Sequence, residues 1–130
     1  MKIEIIAGSP RINSLSKRVA LHLRSWFEVN TDHEVDIIDL KEWNLPPVQT
    51  VYSSVENTPD EFKALSERIF SADAFILVSP EYNGGYSPAM KNLIDHCFIS
   101  FEFESGFGRV LAINWLSIYN NLINSLRRNI

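Results

Sequence analysis

Ser9, Arg11, Asn13, Ser14 and Ser16 crowd three hydroxyls, an amide and a guanidinium into one short run, Gly8-Ser9-Pro10-Arg11-Ile12-Asn13-Ser14-Leu15-Ser16. Hydroxyls and amides donate to anions, and an arginine presents a fixed fork of N–H groups. If a helix begins near Leu15, its free backbone N–H groups point into the same place. That combination is suited to a phosphate. Lys17 and Arg18 would then occupy the positive end of the helix dipole, where a cation costs ~0.3–1 kcal/mol, and a bound dianion would reverse the sign. The run has a single glycine and matches neither the Walker A pattern nor G-x-G-x-x-G, which favours a mononucleotide phosphate over a pyrophosphate. A plain helix cap by Asn13 or Ser14, with Arg11 in solvent, is the alternative.

A second run, Ser79-Pro80-Glu81-Tyr82-Asn83-Gly84-Gly85-Tyr86-Ser87, carries chemistry of another kind. Asn83-Gly84-Gly85 can take positive φ and bring bare backbone N–H groups close to a ligand. An isoalloxazine ring offers acceptors along its pyrimidine edge and at N5, so a row of backbone donors suits it. Tyr82 and Tyr86 would cover apolar ring surface. A tight turn with two surface tyrosines is the competing description.

The elements that must position these runs follow from periodicity. Lys2 to Ala7 reads as an Ile-rich strand closed by Gly8. Leu15, Val19, Leu23, Trp26 and Phe27 recur at helical spacing, with Lys17, Arg18, His22 and Arg24 mostly opposite. Glu34 to Leu40 predicts a second strand. Trp43 to Asn57, with Pro46-Pro47, predicts a long loop holding at most one helical turn. Thr58-Pro59-Asp60-Glu61 predicts a helix start with a capping box, and Phe62, Leu65, Ile69 and Phe70 form its apolar face. Ala72 to Val78 reads as a strand covered on both faces. Ser87-Pro88 opens a helix with Met90, Leu93, Ile94, Cys97 and Phe98 inward. Val110 to Trp115 reads as a fourth strand, and Leu116 to Leu126 as a final helix.

This alternation predicts an α/β fold: a parallel sheet with helices on both faces. In the flavodoxin-like order 2-1-3-4-5 the ligand crevice opens where the order reverses, between strands 1 and 3. The two unusual runs follow those two strands. The 130 residues, apolar in 45% of positions, suit a single domain spanning 1–130 with its own core. A net charge of -4 with scattered Lys and Arg speaks against nucleic acid. The polar residues interrupting Val110 to Leu126 speak against a membrane span. One cysteine and no leader-like N-terminus point to a cytoplasmic location.

Other chemistry is set aside. His22, His33 and His96 have no ligand spacing for zinc and are expected at the surface or in caps. Cys97 falls on an apolar helix face and reads as a packed thiol rather than a nucleophile. Asp60, Glu61, Glu67 and Arg68 read as a solvated face, Trp26 and Trp43 as packing groups. Lys91, Asn92 and Asp95 are expected to tie their helix to its neighbours.

Taken together, Gly8-Ser9-x-Arg11-x-x-Ser14, Ser79-Pro80-Glu81-Tyr82-Asn83 and Lys91-Asn92-x-x-Asp95 resemble the NADPH-dependent FMN reductase family, which includes quinone, azo and chromate reductases. The resemblance covers Met1 to about His96. It implies that Ser9, Arg11, Ser14 and Ser16 surround the FMN phosphate, and that Pro80, Glu81, Tyr82, Asn83 and Gly84 meet the flavin, mostly through their backbone. It also implies a homodimer or homotetramer whose subunits complete the pocket. The chain departs from the family pattern after His96. Trp115 to Asn121 stands where a Gly- and Ser-rich loop is expected, and a fifth strand with its helix is expected to be missing.

The expected function is an oxidoreductase passing electrons from NADPH or NADH through FMN to a quinone, azo or similar acceptor. The cofactor carries the chemistry, so no catalytic acid, base or nucleophile is expected. A non-catalytic module that binds FMN or another phosphate, or serves in assembly, is the alternative. The broad apolar stripe of the final helix predicts a subunit contact involving Arg109 to Ile130.

Overall fold

The computed structural model describes residues 1–97 and the strand at 109–114. Its elements run β1 (Lys2–Ala7), α1 (Leu15–Asn30), β2 (Glu34–Asp39), a 3₁₀ turn (Asp60–Phe62), α2 (Lys63–Ser71), β3 (Ala74–Ser79), α3 (Pro88–Cys97) and β4 (Arg109–Asn114). The strands are parallel in the order β2-β1-β3-β4. This is the expected flavodoxin-like arrangement. The expected final helix, the subunit contact carried by its apolar stripe and the place of a fifth strand lie outside the described residues.

Strand alternation splits the core in two. Ile3, Ile5 and Ala7 of β1 join Ala74, Ile76 and Val78 of β3 beneath α1, where Ala20 is fully buried. Ile6 and Phe75 point the other way, into a larger cluster with Ile38, Leu65, Ile69, Met90 and Leu93. A strand buried on both faces must be apolar on both, and β1 and β3 are through most of their length; the buried polar exceptions are Ser79 at the end of β3 and Glu4 within β1. Glu4, 1% exposed, takes a two-pronged hydrogen bond from Arg68 of α2, at 3.0 and 2.5 Å, and Arg68 also reaches Asp36 at 3.4 Å. Burial alone would lower the Arg68 pKa; the hydrogen bond and charge of Glu4 override it and raise it. Arg68 is therefore no solvated residue, as its place on a charged helix face suggested.

Three further expectations change. The inward stripe of α1 is Ser16, Val19, Ala20, Leu23 and Phe27, while Leu15 and Trp26 (52% exposed) face outward. Small residues let α1 approach the sheet, so counting only large apolar side chains rotates the stripe. No capping box forms at α2. Thr58 is buried, its Oγ1 donating to the Ser54 carbonyl at 2.8 Å and lying 2.9 Å from Ser66 Oγ, and the chain enters through the 3₁₀ turn without a side-chain cap. His96 is buried rather than at the surface. Its ring packs 4.7 Å from that of Tyr52, whose N–H donates to the His96 carbonyl at 2.7 Å.

Those Tyr52 contacts pin the long loop after β2 onto α3, and Asn92 Nδ2 adds bonds to the carbonyls of Leu45 and Pro46 at 3.1 and 3.0 Å. Lys91 and Asp95 pair one helical turn apart on the outer face. Cys97 is a packed thiol, pushed by burial up to about 12, and is inert at neutral pH.

Candidate functional site

The crevice lies at the carboxyl ends of β1 and β3. Gly8 ends β1 and donates its N–H to the Val78 carbonyl at 2.8 Å. A Cβ there would overlap the tip of the Met90 side chain and lie 3.2 Å from the Val78 carbonyl oxygen, so any larger residue requires Met90 to shift. From this point the chain turns out and re-enters as α1. Asn13, at φ 57, makes the reversal, a conformation that asparagine tolerates better than most residues. Ser14 is the N-cap, its Oγ accepting from the Lys17 N–H at 3.1 Å. The remaining first-turn N–H groups have no intrahelical partner.

The second loop is fastened to the first. Ser87 Oγ donates to the Gly8 carbonyl and also accepts from the Met90 N–H at 3.1 Å, capping α3. The Ser87 N–H reaches Ser79 Oγ at 3.3 Å. Between these anchors, Tyr82 and Gly85 exchange N–H···O bonds of 3.0 and 3.1 Å. Asn83 (φ 53) and Gly84 (φ 82) form the two-residue turn of that hairpin, the type I′ geometry for which Asn-Gly is suited. Glu81 Oε1 accepts the Gly84 N–H at 2.8 Å.

Between the loops lies a cavity of about 490 Å³ whose walls include Ser9, Arg11, Asn13, Ser14 and Ser16 from one side and Pro80, Glu81 and Tyr82 from the other. Eight of the ten residues singled out in the sequence thus share one cavity. Asn83 and Gly84 lie outside its lining, and the N–H groups of Tyr82, Gly84 and Gly85 are already engaged within the turn. Ser9, Ser14 and Ser16 are buried although polar, and Ser9 Oγ accepts the Arg11 N–H at 3.3 Å. The Arg11 guanidinium lies 5.1 Å over the Tyr82 ring, spanning the two loops.

Ile12, Leu15, Val19 and Val78 give the same cavity an apolar wall. Leu15 and Val19 sit at helical spacing among other apolar residues, so no local pattern separates them from ordinary packing. Ile12, 74% exposed, breaks a polar run, and that was a usable signal. Lys17 is also more constrained than its place in the first turn suggested. It pairs with buried Asp39 at 2.7 Å and lies 3.8 Å from Glu42; the Asp39 hydrogen bond foremost raises its pKa. Among the described residues no cluster of His, Cys, Asp or Glu could hold a metal, and no helix is long and apolar enough to cross a membrane.

A family profile described as NADPH-dependent FMN reductase matches residues 1–118. The chain is 32% identical over 101 residues to an NAD(P)H-dependent FMN reductase of Schizosaccharomyces pombe, covering 75% of this chain and 50% of the relative. It is 38% identical over 100 residues to an FMN-dependent NADPH-azoreductase of Staphylococcus aureus, covering 74% and 52%. It thus spans about half the length of the curated relatives it matches. Among solved structures it is similar in fold to a flavoenzyme NAD(P)H:(acceptor) oxidoreductase from Paracoccus denitrificans, with TM-score 0.62 at 20% identity over 95% of this chain and 71% of that one. An FMN-dependent NADH-azoreductase from Bacillus anthracis, solved in complex with FMN, superposes with TM-score 0.56 at 24% identity, covering 88% and 68%.

Proposed function

Because this chain belongs to the NADPH-dependent FMN reductase family, we propose that its cavity holds FMN and that the protein passes electrons from NADPH or NADH to a quinone, an azo compound or a similar acceptor. One observation carries the reading: three buried serine hydroxyls, Ser9, Ser14 and Ser16, and the Arg11 fork face one cavity at a helix N-terminus. Buried hydroxyls beside unpartnered first-turn N–H groups fit a phosphate dianion. The cavity volume lies within the range of small-molecule sites, about 300–1,000 Å³. The donor set fits the group.

In this reading Ser9, Arg11, Asn13, Ser14 and Ser16 hold the phosphate. Pro80, Glu81 and Tyr82 stand against the ring, while the turn at Asn83 and Gly84 fixes their path. Held by these residues, FMN would supply the redox chemistry that links a nicotinamide to the acceptor. The protein's own work is to bind, orient and shield. The same reading includes a homodimer or homotetramer and a cytoplasmic location.

The test is a titration of the purified, flavin-free protein with FMN and with riboflavin, followed by NADPH and NADH oxidation in the presence of a quinone or azo dye. FMN is expected to bind much more tightly than riboflavin, turn the protein yellow and support ping-pong turnover. Equal affinities would remove the phosphate cradle. FMN binding without oxidation of either nicotinamide would make the protein an FMN-binding module instead of a reductase.

A further inference from the structure

Pro10 stands between two residues of the larger cavity, yet it lines a separate hollow of about 330 Å³ where the end of β2 meets the start of α3. The two spaces share no lining residue. Leu40, Trp43, Leu45 and Ala89 join Pro10 in giving the hollow apolar walls. Leu40 is buried, and half-buried Trp43 and Leu45 pack against the core cluster of Ile38, Leu65 and Met90. These walls are held in place by the protein itself. The Leu40 N–H donates to the Ala7 carbonyl at 3.1 Å, and the Glu42 N–H to the Asp39 carbonyl at 3.0 Å. Asn92 Nδ2 donates to the carbonyls of Leu45 and Pro46. Tied to β1 at one end and to α3 at the other, this stretch has little freedom left to lose when a ligand enters.

Charge on these walls is sparse and of one sign. Lys41 carries the single charge, and among the described residues its side chain has no ion pair or hydrogen bond. The Asn44 side chain on the same wall is likewise free. The nearest acids are spent elsewhere: Glu42 lies 3.8 Å from Lys17, and Asp95 pairs with Lys91. We propose that this hollow is a second ligand site, and that it takes a small planar aromatic carboxylate. An indole set in an apolar wall suits a flat ring. One free ammonium beside a free amide suits a carboxylate, which accepts from both. A volume near the lower end of small-molecule sites, about 300–1,000 Å³, suits one small ring system better than a flavin or a dinucleotide. The proposal does not rest on the reading of the larger cavity.

Calorimetric titration of the protein with 2-naphthoate, with and without saturating FMN, tests this site. Binding is expected to be roughly three- to fivefold tighter than that of the neutral 2-naphthamide, the scale of an exposed ion pair, with the difference shrinking as salt rises. Cyclohexanecarboxylate, which keeps the charge and lacks the flat ring, should bind about fivefold more weakly than 2-naphthoate. Lys41→Gln should erase the preference for acid over amide, and Lys41→Arg should keep it. Ala89→Leu extends a helical side chain into the hollow and should abolish binding at an unchanged melting temperature. Binding should quench tryptophan emission in the parent but not in Trp43→Phe. No binding, equal affinity for acid and amide, full binding in Ala89→Leu, or quenching that survives in Trp43→Phe overturns the proposal. Displacement of 2-naphthoate by FMN also overturns it, because the ring would then have occupied the larger cavity. Tighter binding of 5′-AMP than of 2-naphthoate would make the hollow a nucleotide site. An affinity that falls as the protein is concentrated would make this face an interface between copies of the chain. Either result replaces the proposal.

Discussion

The two ends of the sheet treat charge in opposite ways. At the amino ends of the strands, Glu4 is buried and held by Arg68, Asp36 closes the group, and Lys2 and Asp73 exchange backbone and side-chain bonds. At the carboxyl ends, buried Ser9 and Ser14 border open cavities, while Arg11, Arg18 and Lys41 stay exposed. Polar groups at the first end satisfy one another. At the second they are fixed in place by backbone caps and turns, with donor capacity left over. Parallel strands explain the contrast, because every helix that follows a strand begins at the carboxyl end and brings its unpartnered N–H groups there. The amino end has no such surplus to offer, so a charge buried there needs its partner within the protein.

This contrast can be broken most strongly at the closed end. Arg68→Ala leaves the Glu4 carboxylate buried without its partner, and is expected to cost about 3 kcal/mol, the low end for a broken buried pair because the Arg68 side chain is 29% exposed. A fall in the urea midpoint with unchanged slope measures it. Glu4→Leu/Arg68→Leu should recover most of the loss, since an apolar pair needs no compensation. A double variant as unstable as Arg68→Ala would show that the ion pair was not what Arg68 supplied.

At the open end the same kind of deletion should leave stability almost untouched. Arg11→Ala is expected to weaken FMN binding by about 1.5–3 kcal/mol, the value of hydrogen bonds to charged groups, with a melting temperature close to the parent's. A loss of stability without a loss of affinity would place Arg11 in the scaffold.

The smallest effect belongs to the hairpin turn. Gly84 has open space around it but sits at φ 82, so Gly84→Val should cost about 1 kcal/mol or somewhat more from backbone strain. Because Gly84 lies outside the cavity lining, FMN affinity should change less than in Arg11→Ala, and any change should come through displacement of Glu81 and Tyr82. A Gly84→Val protein that binds FMN worse than Arg11→Ala would mean that the turn itself meets the ring.

By itself the sequence determined the element order, the parallel α/β sheet and both loops of the crevice. These follow from local rules: apolar period in Ile3 to Ala7 and Ala74 to Val78, and turn chemistry in Asn83-Gly84. Eight of the ten proposed binding residues meet in one cavity because the strand order forces the loops after β1 and β3 together. Only the tertiary structure decided which charges were spent. Arg68 lies 64 residues from Glu4, and Lys17 lies 22 from Asp39, so no local pattern marks either pair. Part of the inward stripe of α1 was hidden for a related reason: Ser16 and Ala20 join Val19, Leu23 and Phe27 inside because at those two positions the helix lies close to the sheet, a fact about the neighbour and not about the helix. Pairing and fit belong to both partners, and one chain segment states only its half.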